Sequence, residues 1–210
     1  MNKNRMISFL ILTGFSTSMS IPLVLWGFKK TDYFLNRIGF TESVLSLHFA
    51  WILALLISIG YISYTFKAVP FVRKSQSEFS MLKIIGIWAA LASGIVEELF
   101  FREMVISWLQ NMGLGNILQV VMSALFFGMA HAIWVLFRGD AKIIIPVVVS
   151  TTVLGVLLGL LFLISSRNLL PCIVSHTLIN LVVEPWLILS AVSGKMGIQP
   201  EHRAYGKNAR

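Results

Sequence analysis

The chain has 210 residues, of which 57% are apolar and only 12% are charged. With a mean hydropathy of +0.82, it is too apolar for a water-soluble globule or a disordered chain. The net charge is +8, but the basic residues lie at the ends of apolar runs. That placement is typical of membrane topology and not of nucleic-acid binding. The single cysteine, Cys172, excludes an internal disulfide framework and a cysteine-rich metal site.

Six apolar runs predict an all-α fold, a polytopic membrane helix bundle of about six transmembrane spans. A helix needs about 20 apolar residues to cross the hydrocarbon core, and it satisfies its own backbone hydrogen bonds there. The runs do not alternate as the strands of a membrane barrel would. They occupy residues 6–28, 43–66, 82–112, 115–138, 142–165 and 168–192.

The N-terminal segment resembles a secretory signal, because small residues follow a basic flank and an apolar stretch. Apolar character resumes at 21–28, so we interpret this segment as an uncleaved first span. No tandem repeat or low-complexity tract interrupts the chain. We therefore expect one integral-membrane domain over 1–210, with a polar cytoplasmic tail at 195–210.

The distribution of Lys and Arg predicts that both termini are cytoplasmic, because inside segments of membrane proteins carry the excess of basic residues. With the N-terminus inside, twelve basic residues fall in inside segments: Lys3, Arg5, Lys67, Arg73, Lys74, Lys83, Arg138, Lys142, Lys195, Arg203, Lys207 and Arg210. Four fall in outside segments: Lys29, Lys30, Arg37 and Arg167. This orientation makes 67–81 the longest cytoplasmic loop before the tail.

Ionisable and amide side chains inside the spans are the candidate functional groups, because each is costly in hydrocarbon and needs a partner or a wet cavity. They are Glu97, Glu98, Arg102 and Glu103 in the third span, His131 in the fourth, and His176, Asn180 and Glu184 in the sixth. We assign Glu103 no role and interpret Glu184, which precedes Pro185, as a helix end. His48 in the second span is interpreted as structural.

The spacing of these residues along each helix predicts which side chains share a helix face. Glu98 and Arg102 are four residues apart, which predicts an ion pair on one helix face. Glu97 is rotated by about 100° from Glu98 and therefore stays available. His176 and Asn180 repeat the four-residue spacing, as do Phe127 and His131. With the inner end of the fourth span near Arg138, His131 is expected about 10 Å from that end, where the three helices can meet around a polar cavity.

A carboxylate, two imidazoles and an amide can activate water and stabilise an oxyanion. The alternative is a metal, since two His and one Glu form a known catalytic zinc set with water as the fourth ligand. The helical HExxH signature of zinc proteases is absent. Serine chemistry at Ser93 or Ser175 is less favoured because neither lies in a GxSxG elbow. No phosphate loop or dinucleotide motif predicts a nucleotide partner.

Three segments together resemble the CPBP family of intramembrane proteases, also called the CAAX-processing or Abi family. That family carries Glu-Glu-x-x-x-Arg, then Phe-x-x-x-His, then His-x-x-x-Asn on successive helices. Here the motifs are Glu97-Glu98-Leu-Phe-Phe-Arg102, Phe127-Gly-Met-Ala-His131 and His176-Thr-Leu-Ile-Asn180, within a core of about 82–190. Order and spacing match throughout.

The resemblance implies an intramembrane endopeptidase whose active site lies inside the helix bundle. It implies Glu97 as the water-activating base, assisted by His131, with His176 and Asn180 stabilising the oxyanion. Glu98 and Arg102 would support the site. Members are described with and without a required metal. A divalent metal such as zinc, if used, would be bound by Glu97, His131 and His176.

The expected partners are a membrane-associated peptide or protein substrate and the lipid bilayer. The short loops favour a small prokaryotic member in the plasma membrane. The main alternative is a non-catalytic membrane adaptor or bacteriocin self-immunity protein that uses the same cavity. A proton-coupled transporter is a third class, disfavoured because no internal repeat or pair of broken helices is evident.

Overall fold

The computed structural model describes residues 2–133 and 143–196, and the regular elements in these residues are all helical. The helices are α1 (Lys3–Lys29), α2 (Thr31–Arg37), α3 (His48–Ala68), α4 (Pro70–Ser75), α5 (Met81–Glu98), α6 (Ile106–Asn111), α7 (Asn116–Ala130), α8 (Ile144–Ile164), α9 (Leu170–Val183) and α10 (Trp186–Val192). A π-helix, Leu99–Val105, joins α5 to α6. Short 3-10 turns occur at Val44–Ser46 and His131–Ile133.

The predicted all-α membrane bundle is confirmed. Five helical stretches are long and apolar enough to cross a membrane, or six if the bent pair α9 and α10 counts as one span. That pair is bent by 52° at Pro185, which has no backbone N–H to continue a helix. Met81–Asn111 runs as one stretch of 31 residues, because the π-helix keeps the chain helical between α5 and α6.

Two predicted spans have different ends in the structure. The second span begins at His48 and not at 43, so His48 is an exposed first residue of α3. The α-helix of the fourth span, α7, ends at Ala130, and His131 begins a closing 3-10 turn. The expected inner end near Arg138 lies outside the described residues. His131 therefore terminates the described helix, where the sequence placed it about 10 Å inside a longer one.

Helix α9 occupies the centre, packed against α3, α5 and α8. Small residues allow the closest approaches. A Cβ on Gly94 of α5 would lie 2.2 Å from Thr177 Oγ1 of α9. A Cβ on Gly155 of α8 would lie 2.9 Å from the Ala124 Cα of α7. Outward-facing residues are apolar, as lipid contact requires; examples are Leu55, Leu56, Ile59, Ile145, Val149 and Val153.

One end of the bundle carries Asn2, the loop 69–80 and residues 193–196, and is called the loop end below. Arg5 pairs with Glu78 there, which ties the start of α1 to the loop before α5. Lys195 Nζ lies 4.9 Å from the ring centroid of Phe71. Both ends of the described chain thus share a face with the loop, as the basic-residue distribution requires of its inside segments. The tail beyond Met196 lies outside the described residues.

Candidate active site

The end of α5 delivers two adjacent carboxylates, Glu97 and Glu98, to the interior. A π-helix follows at once, and such irregular turns are frequent at functional sites. The carbonyl of Phe101 within it accepts a 2.7 Å hydrogen bond from Ser123 Oγ on α7. That bond satisfies a backbone group inside the irregular turn and fixes α7 against it.

Glu98 forms the expected ion pair with Arg102, and a second contact that the sequence did not predict. Arg102 Nε lies 3.1 Å from Glu98 Oε2, and both side chains have no solvent exposure. Nδ1 of His176 donates a 2.7 Å hydrogen bond to Glu98 Oε1. A buried carboxylate needs such partners to remain charged. Glu98 therefore connects the charge of Arg102 to the orientation of His176.

Glu97 lies between the two histidines. Its Oε2 is 3.9 Å from His131 Nε2 and 4.0 Å from His176 Nε2. The same oxygen is buried and has no hydrogen-bond partner. At these separations, one oxygen atom of water or substrate can lie about 2.8 Å, the length of a normal hydrogen bond, from Glu97 Oε2 and from the Nε2 of either histidine.

A hydrogen bond at Nδ1 fixes the orientation of each imidazole ring. Nδ1 of His131 donates a 2.8 Å hydrogen bond to the carbonyl of Phe127, and Nδ1 of His176 donates to Glu98. With Nδ1 carrying a hydrogen, Nε2 is an acceptor in a neutral ring and a donor in a protonated one, and in both histidines Nε2 is the ring nitrogen nearer to Glu97. The two rings are also packed, since Phe127 contacts His131 and His176 at centroid distances of 4.6 and 5.7 Å.

Helix lengths explain why these groups meet. Along its helix, Glu97 lies about 20 Å before the end of α6 at Asn111. His131 lies about the same distance after the start of α7 at Asn116. Residues 112–115 connect those two helix ends. The two side chains are therefore at equal depth, a relation that the sequence left dependent on the chosen boundaries.

Asn180 is held by a residue whose role the sequence did not indicate. Its Nδ2 donates a 3.1 Å hydrogen bond to Ser93 Oγ, one turn before Glu97 on α5. Ser93 was considered only as a weak nucleophile. The four-residue spacing of Ser93 and Glu97 places both on one face of α5. In the sequence, this spacing is the feature that indicates a shared neighbouring helix.

Ser175 and Cys172 are separated from this cluster by their own contacts. Ser175 Oγ lies 3.0 Å from Ser58 Oγ and 3.1 Å from the carbonyl of Ala54 on α3. Cys172 is fully buried, with Sγ 3.4 Å from the carbonyl of Leu158 on α8. Both residues serve helix packing in this structure.

A cavity of about 760 Å³ contains the polar cluster. Glu97, His131, His176 and Asn180 line it, as do Ala68, Val69 and Met196, which are close to the loop end. The remaining wall is mainly apolar. A mainly apolar cavity with a few polar groups is typical of a ligand-binding site. Glu184 also lines the cavity, although the sequence indicated only a helix end there.

The chemistry of Glu97, His131 and His176 is that of zinc ligands, but their spacing is not. Ligands of a tetrahedral zinc ion with bonds of about 2.0 Å lie about 3.3 Å apart, whereas these atoms are 3.9 and 4.0 Å apart. Among the residues that the structure describes, no group of three His, Cys, Asp or Glu has metal-binding geometry. The spacing fits a hydrogen-bonded water.

Comparison with known families identifies the same part of the chain. The family model described as Rce1-like, "Type II CAAX prenyl endopeptidase Rce1-like", matches residues 79–182. That segment contains all three motifs, and the resemblance stated above is confirmed. The match and the apolar helices make the chain an integral membrane protein of a protease family. No curated protein and no solved structure matches it in the other two comparisons.

Proposed function

We propose, because this chain belongs to the Rce1-like family of type II CAAX prenyl endopeptidases, that it is an intramembrane endopeptidase with Glu97 as general base. The observation that supports this proposal is the buried, unpartnered Oε2 of Glu97 between the Nε2 atoms of His131 and His176. A carboxylate oxygen so placed attracts water.

In the first step, Glu97 takes a proton from this water as the oxygen attacks the peptide carbonyl. The C–O bond forms, and the carbonyl electrons become an oxyanion. His131 assists by accepting at Nε2 a hydrogen bond from the other water hydrogen, which stays on the oxygen. This hydrogen bond orients the lone pair of the water toward the carbonyl. General-base assistance of this kind contributes about 10²–10⁴-fold in rate.

The oxyanion is stabilised by Asn180 and by protonated His176. Asn180 Nδ2 has two hydrogens, and its bond to Ser93 uses one of them. In its doubly protonated form, His176 donates its Nδ1 hydrogen to Glu98 and has an Nε2 hydrogen to donate to the oxyanion. Hydrogen-bond donors that are fixed in the direction of the developing charge stabilise the transition state strongly in a site with little water. Collapse of the intermediate breaks the C–N bond, and Glu97 returns its proton to the leaving amine.

The substrate class and orientation follow from the setting of this cluster. A membrane-associated peptide or protein enters the cavity from the loop end, which we place on the cytoplasmic side with both termini. The short loops favour a prokaryotic plasma membrane, and the positive charge of that face favours its cytoplasmic placement. The cytoplasmic placement rests on the distribution of Lys and Arg. In this orientation, water would reach the site from the loop end.

A comparison of released peptides tests the proposal. Membranes bearing the wild-type protein are compared with membranes bearing Glu97→Ala or Glu97→Gln, and peptides released into the soluble fraction are identified by mass spectrometry. We expect products that are present only with the wild type, and their ends identify the cleavage site. Glu103→Gln, which removes a carboxylate paired with Arg37 outside the cavity, is the matched control.

Equal release by a folded Glu97→Gln protein would reject the role of Glu97. A non-catalytic adaptor predicts a different pattern, in which the cellular phenotype persists in Glu97→Gln and partner binding is unchanged.

A further inference from the structure

Glu184 places a second carboxylate in the cavity that contains Glu97. It follows His176 and Asn180 at intervals of four residues and comes directly after the last residue of α9, on the side of the loop end. Glu184 lies where the chain bends into α10. Pro185 fixes this bend against α5, because a Cβ on Gly86 would lie 2.6 Å from Pro185 Cδ.

The hydrogen bonds around Glu184 leave one oxygen without a partner. The backbone N–H of Ile188 donates to the carboxylate, which anchors it at the first turn of α10. Oε2 is buried and has no hydrogen-bond partner. Lys83 Nζ is close, but it donates to the main-chain carbonyls of Leu181 and Glu184. Burial of a carboxylate oxygen without a donor is costly, and an incoming donor would offset that cost.

The rest of the cavity restricts the kind of donor. Its wall is mainly apolar, with Leu10, Phe15, Leu187 and Ile188 among the lining residues. A second carboxylate, Glu97, lines the same space, so an anion is disfavoured there. A cation with a long apolar stem meets both conditions, since lysine and arginine bury their methylenes and present the charge at the end.

We propose that Glu184 is a specificity-determining residue that binds the ammonium or guanidinium group of a basic side chain in the peptide substrate. This inference rests on the proposed function. His176 and Glu184 are separated by about 12 Å of helix rise. An extended peptide advances about 3.3 Å per residue. The basic residue therefore lies three or four positions from the scissile bond, on the side nearer the loop end.

Binding to an inactive protein tests the inference without catalysis. The probes are fluorescent Leu/Ala peptides of about 20 residues, long enough to cross a bilayer, reconstituted with the full-length Glu97→Gln protein in phosphatidylcholine vesicles. Each carries one lysine, norleucine or glutamate at a scanned position. We expect the lysine peptide to bind about tenfold more tightly than the norleucine peptide, at one or two adjacent positions only.

Variants at Glu184 then assign the preference. In Glu97→Gln/Glu184→Gln we expect the ratio of lysine to norleucine affinities to fall to about one, and in Glu97→Gln/Glu184→Lys we expect the glutamate peptide to be preferred. Glu97→Gln/Glu103→Gln is the matched control and should keep the original ratio. An unchanged lysine preference in folded Glu184→Gln protein would overturn the inference. If that variant does not fold, a lysine preference equal at all scanned positions would overturn it.

Cleavage by the wild-type protein separates the two proposals. Cleavage of these peptides with no lysine preference at a fixed distance from the cut rejects the inference and leaves the proposed function standing. Binding that depends on Glu184, together with no cleavage by wild type, rejects the proposed function and supports Glu184 as a cation-binding residue.

Discussion

Nδ1 of His176 donates a 2.7 Å hydrogen bond to Oε1 of Glu98, and neither side chain has more than 3% exposure. Because Arg102 contacts the other oxygen of Glu98, the motif of the third span and the motif of the sixth span form one buried charged network. Both a metal-free and a metal-assisted mechanism need the imidazole of His176 to be held in place. The network makes Glu98 as important to the fold as to the site.

Substitution of Glu98 by Gln should destabilise the protein far more than substitution of Glu97 by Gln. Loss of the Glu98 charge leaves Arg102 buried without its carboxylate, and breaking one side of such a pair costs about 3–5 kcal/mol. Glu97 has no Lys or Arg ion pair among the described residues. Denaturant or thermal unfolding in detergent measures the difference. Equal stabilities of the two variants would show that the Glu98–Arg102 contact contributes little.

Removal of the Ser93 hydroxyl should lower kcat with little change in KM. Ser93→Ala deletes the acceptor of the Asn180 amide, so the amide loses its fixed direction toward the oxyanion. We expect a loss of about tenfold, below the 10²–10³-fold typical for deletion of the oxyanion donor itself. The double-mutant cycle with Asn180→Ala is the check. Ser93→Ala should have no further effect in that background, and full additivity would contradict a positioning role.

Introduction of a methyl group at Gly94 should separate α5 from α9 at the site. The added Cβ would lie 2.2 Å from Thr177 Oγ1 and 3.3 Å from Thr177 Cα, so a side-chain rotation alone does not make enough room. Overpacking of this kind costs about 1–3 kcal/mol, and the separation of Glu97 from His176 would reduce activity. Gly60→Ala on α3 is the control, because no atom lies within 4 Å of its added Cβ. Similar stability and activity for both variants would contradict close packing at Gly94.

The sequence predicted those features that depend on spacing along one helix. The Glu98–Arg102 pair and the shared face of His176 and Asn180 follow from four-residue intervals, and the family motifs connected three helices that periodicity alone leaves independent. Contacts between helices were not predictable in the same way. The His176–Glu98 bond depends on how α9 packs against α5. The early end of α7 at Ala130 depends on tertiary structure, since apolar composition continues beyond it.

Acidification should weaken the attachment of the loop before α5 to the start of α1. The hydrogen bond from Arg5 lowers the pKa of Glu78 below its ordinary value of 4.5, and the second Arg5–Glu78 hydrogen bond is 2.7 Å long. A carboxyl with a lowered pKa stabilises the folded state fully above its unfolded pKa, and that contribution is lost as pH falls through the folded value.

The Arg5–Glu78 pair is partly exposed, with 31% and 38% of the side chains accessible, so its contribution should not exceed about 1 kcal/mol. Glu78→Gln should therefore reduce stability slightly at neutral pH and flatten its fall below about pH 4.5. Thermal unfolding of wild type and variant across that range tests this. Parallel curves would show that Glu78 titrates without linkage to folding.

Removal of divalent metal should leave peptidase activity unchanged. The Nε2 atoms of His131 and His176 lie 3.9 and 4.0 Å from Glu97 Oε2, a spacing that suits a shared water better than a tetrahedral zinc ion. Protein purified with and without chelator is compared for cleavage of the same peptide and for bound metal by elemental analysis. Glu97→Gln sets the background rate. Loss of activity on chelation, restored by stoichiometric zinc, would contradict the metal-free mechanism and would require the three side chains to move together around the ion.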